Sequence, residues 1–165
     1  MSKGKLIKYI IIVLIPFIVD YGINIMITYG LEMNSDTIMN ASNFIMAIWK
    51  YVCLFYWFWV GTVFANSMKN KYLGFILGNI VWLVLFCLYV WQFCYVGDES
   101  RNSLISIISQ NYILGFVPWA KKIINLFTNT ISGTTVIIAA YIIMLVVFTG
   151  GYITKLIYLR KSIAK

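Results

Sequence analysis

The run from Ile10 to Thr28 constrains this chain most, because its nineteen residues include only one charged side chain, Asp20. An α-helix of about 20 apolar residues crosses the hydrocarbon core of a bilayer. Twelve Ile, Leu, Val and Phe residues in the run favour insertion by roughly 4 to 7 kcal/mol, whereas a central Asp opposes it by about 2.5 to 3.5 kcal/mol. The balance predicts a transmembrane helix that holds a buried carboxyl group.

The composition extends this interpretation to the whole chain. Hydrophobic residues make up 62% of it and charged residues 11%, with a mean hydropathy of +0.87. This balance lies far from that of an ordinary soluble domain. We predict an all-α integral membrane protein that forms a single domain, 1–165, with four transmembrane helices. The expected spans are residues 9–29, 44–66, 72–96 and 134–154, with an outer link over 97–133.

The distribution of charge predicts how these helices are oriented. With the N-terminus in the cytoplasm, four crossings return the C-terminus there. The cytoplasmic pieces then carry nine cations and no acid, which obeys the positive-inside rule. These cations are Lys3, Lys5, Lys8, Lys69, Lys71, Lys155, Arg160, Lys161 and Lys165. We therefore expect a multi-pass plasma-membrane protein with both termini cytoplasmic, and the Ile-, Asn-, Lys- and Tyr-rich composition indicates a bacterium with AT-rich DNA.

The link over 97–133 leaves an alternative open. Residues 103–120 are moderately apolar and about 18 residues long, near the lower limit for a crossing. A fifth span would move the C-terminal cations outside, and the Ser, Asn and Gln side chains of this segment suit a surface better than lipid. We predict short interfacial helices, Leu104–Leu114 and Pro118–Phe127, that cap the bundle on its outer face. Partial membrane insertion of 103–127 is the alternative.

Asp20 also leads to the main predicted contact. It lies about 13 Å and Lys50 about 9 Å from the outer ends of their helices, at 1.5 Å per residue. Adjacent antiparallel helices would bring them together, so we predict an intramembrane Asp20–Lys50 ion pair. Pro16, Asp20, Asn24 and Thr28 are spaced by four and form a polar stripe on one helix face. The pair either fixes how two helices meet or tunes a proton or cation site.

Two further patterns predict contact surfaces. An aromatic cluster over residues 55–59 either fills the bundle core or forms a surface for a partner. The possible partner surface comprises Tyr56, Trp57, Trp59, Trp119, Lys121 and Lys122. Small residues that allow close helix packing are Gly74 and Gly78 in the third span and Gly61 and Ala65 in the second. We expect them to bring these two helices together, and Gly150-Gly151 to form a flexible exit from the fourth.

The residues expected at catalytic sites are scarce. The chain has no His, and Cys53, Cys87 and Cys94 form no CxxC pair. We predict no enzyme activity, no cofactor and no metal, and, because the cations lie at the ends of apolar runs, no nucleic-acid binding.

Two functional hypotheses remain. The first is an accessory or interaction protein, such as an assembly, regulatory or immunity-type subunit, that binds another membrane protein or an extracellular agent. The second is a small oligomeric ion, proton or solute transporter or channel that uses the Asp20 stripe. The expected partners are membrane lipids and either another membrane protein or further copies of the chain.

Overall fold

The computed structural model describes residues 3–68, 70–128, 130 and 132–163, with side chains from residue 7 to residue 162 within those ranges. This part of the chain is helical and contains no strand. Lys69 and Lys165, two of the cations used to predict the orientation, lie outside it. The helices are α1 (Lys3–Glu32), α2 (Asp36–Ser67), α3 (Lys71–Val90), α4 (Ser103–Asn111), α5 (Val117–Ile124) and α6 (Gly133–Ile163).

Four helical stretches are long and apolar enough to cross a membrane, which confirms the predicted number of candidate spans. They are Ile7–Glu32, Asp36–Ser67, Lys71–Tyr95 and Gly133–Ser162. The third includes a π-helical turn, Trp91–Tyr95, that continues α3. The second begins well before the predicted residue 44, and its 32 residues correspond to about 48 Å, more than the roughly 30 Å of a hydrocarbon core.

The connection between α1 and α2 shows why α2 begins so early. Only Met33–Ser35 separates the two helices, and Asn34 adopts a left-handed backbone with φ of 46°. Ser35 is the N-cap of α2, its hydroxyl accepting from the Ile38 amide at 3.5 Å, and Asp36 lies in the first turn. Polar residues that were expected to form a loop therefore provide the cap and the N-terminal negative charge that favour a helix.

Helix α2 lies at the centre of the fold. It packs against α1, α3 and α6, most extensively against α6. Trp57, Val60 and Phe64 of α2 are buried together with Tyr141 and Phe148 of α6. The rings of Phe64 and Phe148 lie with their centroids 6.2 Å apart. The buried core of the described residues is thus rich in aromatic side chains, several of which lie at the α2–α6 contact.

Glycines allow α2 and α6 to approach closely. A Cβ atom on Gly61 would overlap the Phe148 carbonyl oxygen, and one on Gly151 would overlap the Phe58 carbonyl oxygen. Ala65, the other small residue of the α2 motif, is fully buried. Gly61 of the α2 motif thus packs on α6, whereas the carbonyl oxygen of Ala65 accepts from Lys71 of α3. Gly151 lies at a helix crossing inside α6 rather than at a flexible exit.

The glycines of α3 contact both of its neighbours. A Cβ on Gly74 would lie 3.1 Å from the Phe64 carbonyl oxygen of α2 and 3.1 Å from the Tyr152 hydroxyl of α6. Gly78 lies against the Phe148 ring, where a Cβ would be 2.5 Å from Cζ. The α3 motif therefore fits into the angle between α2 and α6.

The link between α3 and α6 folds as a short helical hairpin, α4 and α5 joined through a 3₁₀ turn at Leu114–Phe116. We call residues 103–124 the hairpin. Helix α4 packs against α3 and α1, the turn against α2 and α6, and α5 against α6. Tyr112, Ile113, Phe116 and Ala120 are each buried to 1% exposure or less.

The hairpin corresponds to the two short helices predicted for the link over 97–133. The two short helices occur close to the expected positions, with Pro118 in the first turn of α5. The turn of the hairpin packs against α2 and α6, and the hairpin's buried apolar side chains belong to the same core as the aromatic side chains of those helices. Leu126 and Phe127, which fall within the predicted second short helix, lie beyond α5 and are highly exposed.

Candidate functional site

Asp20 lies where α1, α2 and the hairpin turn meet. Its side chain is fully buried. The Trp49 indole Nε1–H donates to Asp20 Oδ1 at 2.5 Å, and the Gly115 amide N–H donates to Asp20 Oδ2 at 3.5 Å. A buried carboxyl group needs donors of this kind, because an unpaired one would lose its hydration without compensation. Asp20 therefore joins the first two long helices to the tip of the hairpin.

The predicted Asp20–Lys50 ion pair is not formed. Lys50 is half-buried, and its Nζ lies 5.1 Å from the centroid of the Tyr51 ring. Within the residues that the structure describes, the only ion pair joins Arg101 to Asp98 at 2.6 Å. Trp49, one residue before Lys50, contacts Asp20 instead. The predicted position along α2 was therefore correct to within one residue, but the side chain that contacts Asp20 is a different one.

The hairpin tip lies so close to α2 that only glycine fits at position 115 without a shift of its neighbours. A Cβ at this position would lie 2.8 Å from Cys53 Sγ, 2.9 Å from Cys53 Cβ and 3.2 Å from Trp49 Nε1. Real Cβ atoms do not approach other atoms so closely. Glycine thus allows the backbone amide of the turn to reach the Asp20 carboxyl group.

We predict that Gly115→Ala destabilises the protein by about 2 kcal/mol, the usual effect of inserting a methyl group into a packed core. The added methyl group would push the turn away from Cys53 and weaken the Gly115–Asp20 hydrogen bond. Gly97→Ala is the matched control within the same link, because a Cβ there has no neighbour within 4 Å. Thermal unfolding in detergent measures both, and equal transition midpoints would contradict the prediction.

Buried polar atoms without partners surround the same tip. Trp57 of α2 and Tyr112 of the hairpin lie with ring centroids 5.9 Å apart. Neither Trp57 Nε1 nor the Tyr112 hydroxyl has a hydrogen-bond partner among the described residues, although both atoms are buried.

A cleft runs beside the hairpin, and we call it the hairpin cleft. Its inner part has a volume of about 320 Å³ and is lined by Asn24, Ile107, Gln110, Asn111, Leu114, Val117 and Ile137. It shares Gln110, Val117 and Ile137 with a cavity of about 640 Å³ that also contains Arg101 and Lys121. On the other side it shares Asn24 and Ile107 with a cavity of about 280 Å³ beside α1. Three amide side chains thus lie within a mostly apolar cleft.

Asn111 is the unusual residue of the hairpin cleft. It is only 4% exposed, and its Nδ2 has no hydrogen-bond partner among the described residues. A buried donor left unpaired costs about 1–3 kcal/mol. Gln110 beside it and Asn24 across the cleft are half-buried. The cleft therefore offers hydrogen-bond donors and acceptors within an apolar wall.

The residues of the predicted polar stripe lie in different environments along α1. Pro16 and Asp20 are buried, Asn24 lines the hairpin cleft, and Thr28 is exposed with its hydroxyl donating to the Asn24 carbonyl at 3.0 Å. Asn24 lies one helical turn from Asp20. The stripe thus passes from the buried carboxyl group to the cleft.

The aromatic members of the predicted partner surface mostly make contacts inside the chain. The Tyr56 hydroxyl donates to the Ile12 carbonyl at 2.7 Å, and Trp57 is buried. Trp119 Nε1 donates to the Lys50 carbonyl at 3.1 Å. Trp59 keeps about half of its surface exposed.

The two lysines of that surface, Lys121 and Lys122, are exposed on α5. The predicted surface therefore contains two kinds of residue. Tyr56, Trp57 and Trp119 make contacts inside the chain, whereas Lys121 and Lys122 are exposed.

The sequence singled out Asp20 and Asn24, but it gave no role to Trp49, Gly115 or Asn111. A Trp near the end of a transmembrane span is typical of the membrane interface, so the sequence does not indicate a buried role for Trp49. For Gly115, the one feature of the sequence that could have suggested a buried turn is its position within an apolar stretch, 112–117, just before Pro118. No sequence pattern indicated that Asn111 would be buried.

Comparisons of the chain with protein-family models, with curated proteins and with solved structures found no match.

Proposed function

We propose that this chain is a multi-pass plasma-membrane protein that works by binding, as an accessory or interaction protein, and that the hairpin cleft is its binding site. The observation that carries the proposal is the buried Asn111 amide in a cleft of about 320 Å³. Ligand pockets are typically concave, mostly apolar and about 300–1,000 Å³, with a few polar groups that orient the ligand. The partner would be a segment of another membrane protein or an extracellular agent.

The proposed membrane placement makes the hairpin a re-entrant one. With both termini cytoplasmic, α4 would enter from the outer side and α5 would return to it. Helices of nine and eight residues extend about 13 and 12 Å, less than half of a 30 Å hydrocarbon core. Irregular backbone at membrane depth is tolerated where protein buries it, and the Leu114–Phe116 turn is packed against α2 and α6.

Cysteine labelling tests this placement. We expect Asn102→Cys and Asn125→Cys, at the two ends of the hairpin, to react with a membrane-impermeant maleimide from the outer side. Asn70→Cys and Ser162→Cys should react only after the membrane is permeabilised. The native Cys87 and Cys94, both exposed, are first replaced with Ser. Labelling of positions 102 and 125 from opposite sides would instead establish a fifth span.

A photo-reactive amino acid at Gln110 tests the binding site, because this residue lines both the inner part of the cleft and the cavity beside it. Leu83, which is exposed on α3, is the matched position outside the cleft. In native membranes we expect a discrete cross-linked product from position 110 and none from position 83. The product should disappear with Asn111→Leu, which keeps the size of the side chain but removes its amide. Equal cross-linking from both positions would refute the proposal.

The second candidate is an oligomeric transporter or channel, favoured by the single turn of α1 that separates Asp20 from Asn24 in the cleft. Intramembrane carboxyl groups often mark ion or proton pathways. The purified protein in sealed vesicles would then form a homo-oligomer and carry an ion flux that Asp20→Asn abolishes. A monomer without flux, or a flux unchanged by Asp20→Asn, rejects this candidate.

A further inference from the structure

A groove between α3 and α6 lies at the opposite end of these helices from the hairpin. It has a volume of about 640 Å³, and seven of its ten lining residues are aliphatic or aromatic. Phe75 and Ile76 line its α3 side, and Ile153 and Leu156 line its α6 side. The groove is apolar along its length and faces outward from the bundle.

Two cations close one end of the α3–α6 groove. Lys71 lies at the start of α3, and Arg160 lies in the last turn of α6. Lys71 Nζ donates to the carbonyl oxygens of Ala65 at 2.8 Å and Met68 at 2.9 Å. An ammonium group has three N–H donors, so one remains for a ligand. The Arg160 guanidinium is exposed and has five.

The charges around the groove are of one sign. Lys155 and Lys161 lie on α6 beside Arg160, and every acidic residue of the chain belongs to another region. The acidic residues are Asp20, Glu32, Asp36, Asp98 and Glu99. This end of the molecule therefore attracts anions, and none of the described residues that line the groove is acidic.

We propose that the α3–α6 groove binds an anionic phospholipid from the adjacent leaflet. Its acyl chain would lie along Phe75, Ile153 and Leu156, and its phosphate would sit between Lys71 and Arg160. Basic pockets between transmembrane helices bind lipid headgroups in this way. This lipid site shares no lining residue with the hairpin cleft. An experiment can therefore refute lipid binding without refuting partner binding at the hairpin cleft, and the reverse.

Retention of defined lipids by the purified full chain tests the proposal. The protein is incubated in mild detergent with dioleoyl phosphatidylglycerol or dioleoyl phosphatidylcholine, and bound lipid is counted by native mass spectrometry. We expect the wild type to retain the anionic lipid at least fivefold more than the zwitterionic one. Arg160→Gln should lower retention of the anionic lipid about fivefold, the effect of one cation near a membrane surface.

Neighbouring residues of α6 provide the controls. Lys161→Gln removes the same charge one residue away but outside the groove, so it should change retention less than twofold. Ile153→Trp should block the groove, whereas Ile157→Trp, at a similarly exposed position that does not line it, should not. Equal losses with Arg160→Gln and Lys161→Gln would overturn the proposal by showing a diffuse charge effect. A dimer that buries the groove would overturn it as well.

Discussion

Replacing Asp20 with Ala is expected to lower the free energy of unfolding by about 3 kcal/mol, whereas Lys50→Met should change it by less than about 1 kcal/mol. The Ala variant leaves the Trp49 indole N–H and the Gly115 amide N–H without an acceptor in a buried place. Each such donor costs about 1–3 kcal/mol. Lys50 loses only its approach to the Tyr51 ring.

Unfolding in mixed micelles with increasing dodecyl sulfate measures these changes. A double-mutant cycle separates the partners of Asp20, because coupling energies appear only between residues that interact. Trp49→Phe keeps an aromatic ring and removes the N–H donor. We expect coupling of about 1–2 kcal/mol between Asp20→Ala and Trp49→Phe, and almost none between Asp20→Ala and Lys50→Met. Coupling between Asp20→Ala and Lys50→Met, with none between Asp20→Ala and Trp49→Phe, would instead support an Asp20–Lys50 ion pair.

The same site shows how far sequence reasoning reaches. Apolar runs determine the number of long helices, because burying or inserting about 20 apolar residues dominates the other local terms. A rise of 1.5 Å per residue correctly places the α2 turn around Lys50 at nearly the same level as Asp20. It could not choose between Trp49 and Lys50, which point about 100° apart around the helix axis. That angle depends on how α1 and α2 rotate against each other, and their packing decides it.

The hairpin could be predicted only in part. Its two helices follow from local signals such as the Asn102 N-cap, whose side chain accepts from the Ile105 amide at 3.1 Å, and Pro118 in the first turn of α5. Its packing against the long helices depends on contacts far apart in the sequence. The Tyr141 hydroxyl of α6 donates to the Ser109 carbonyl at 2.6 Å, and the Gly115 amide reaches Asp20. A segment rich in Ser, Asn and Gln is typical of a surface, and its sequence does not reveal such distant partners.

Substitution of the two adjacent glycines of α6 should have opposite results. Gly151→Ala is expected to destabilise the protein by about 3 kcal/mol, because the new methyl group would overlap the Phe58 carbonyl oxygen of α2. A carbonyl oxygen within a helix cannot rotate away as a side chain can, so the whole α2–α6 crossing must separate. This crossing is the most extensive helix contact among the described residues.

Gly150→Ala is the matched control, because its methyl group would meet only the Phe58 ring, at 3.8 Å, an ordinary contact distance. Since Ala favours a helix over Gly by about 1 kcal/mol, this variant should equal or exceed the wild type in stability. The two substitutions add the same methyl group to neighbouring residues of one helix, so membrane insertion and helix propensity affect them alike. Unfolding in dodecyl sulfate should therefore separate them by about 3–4 kcal/mol. Equal stabilities would mean that α2 and α6 do not cross at Gly151, and the packing around α2 would have to be revised.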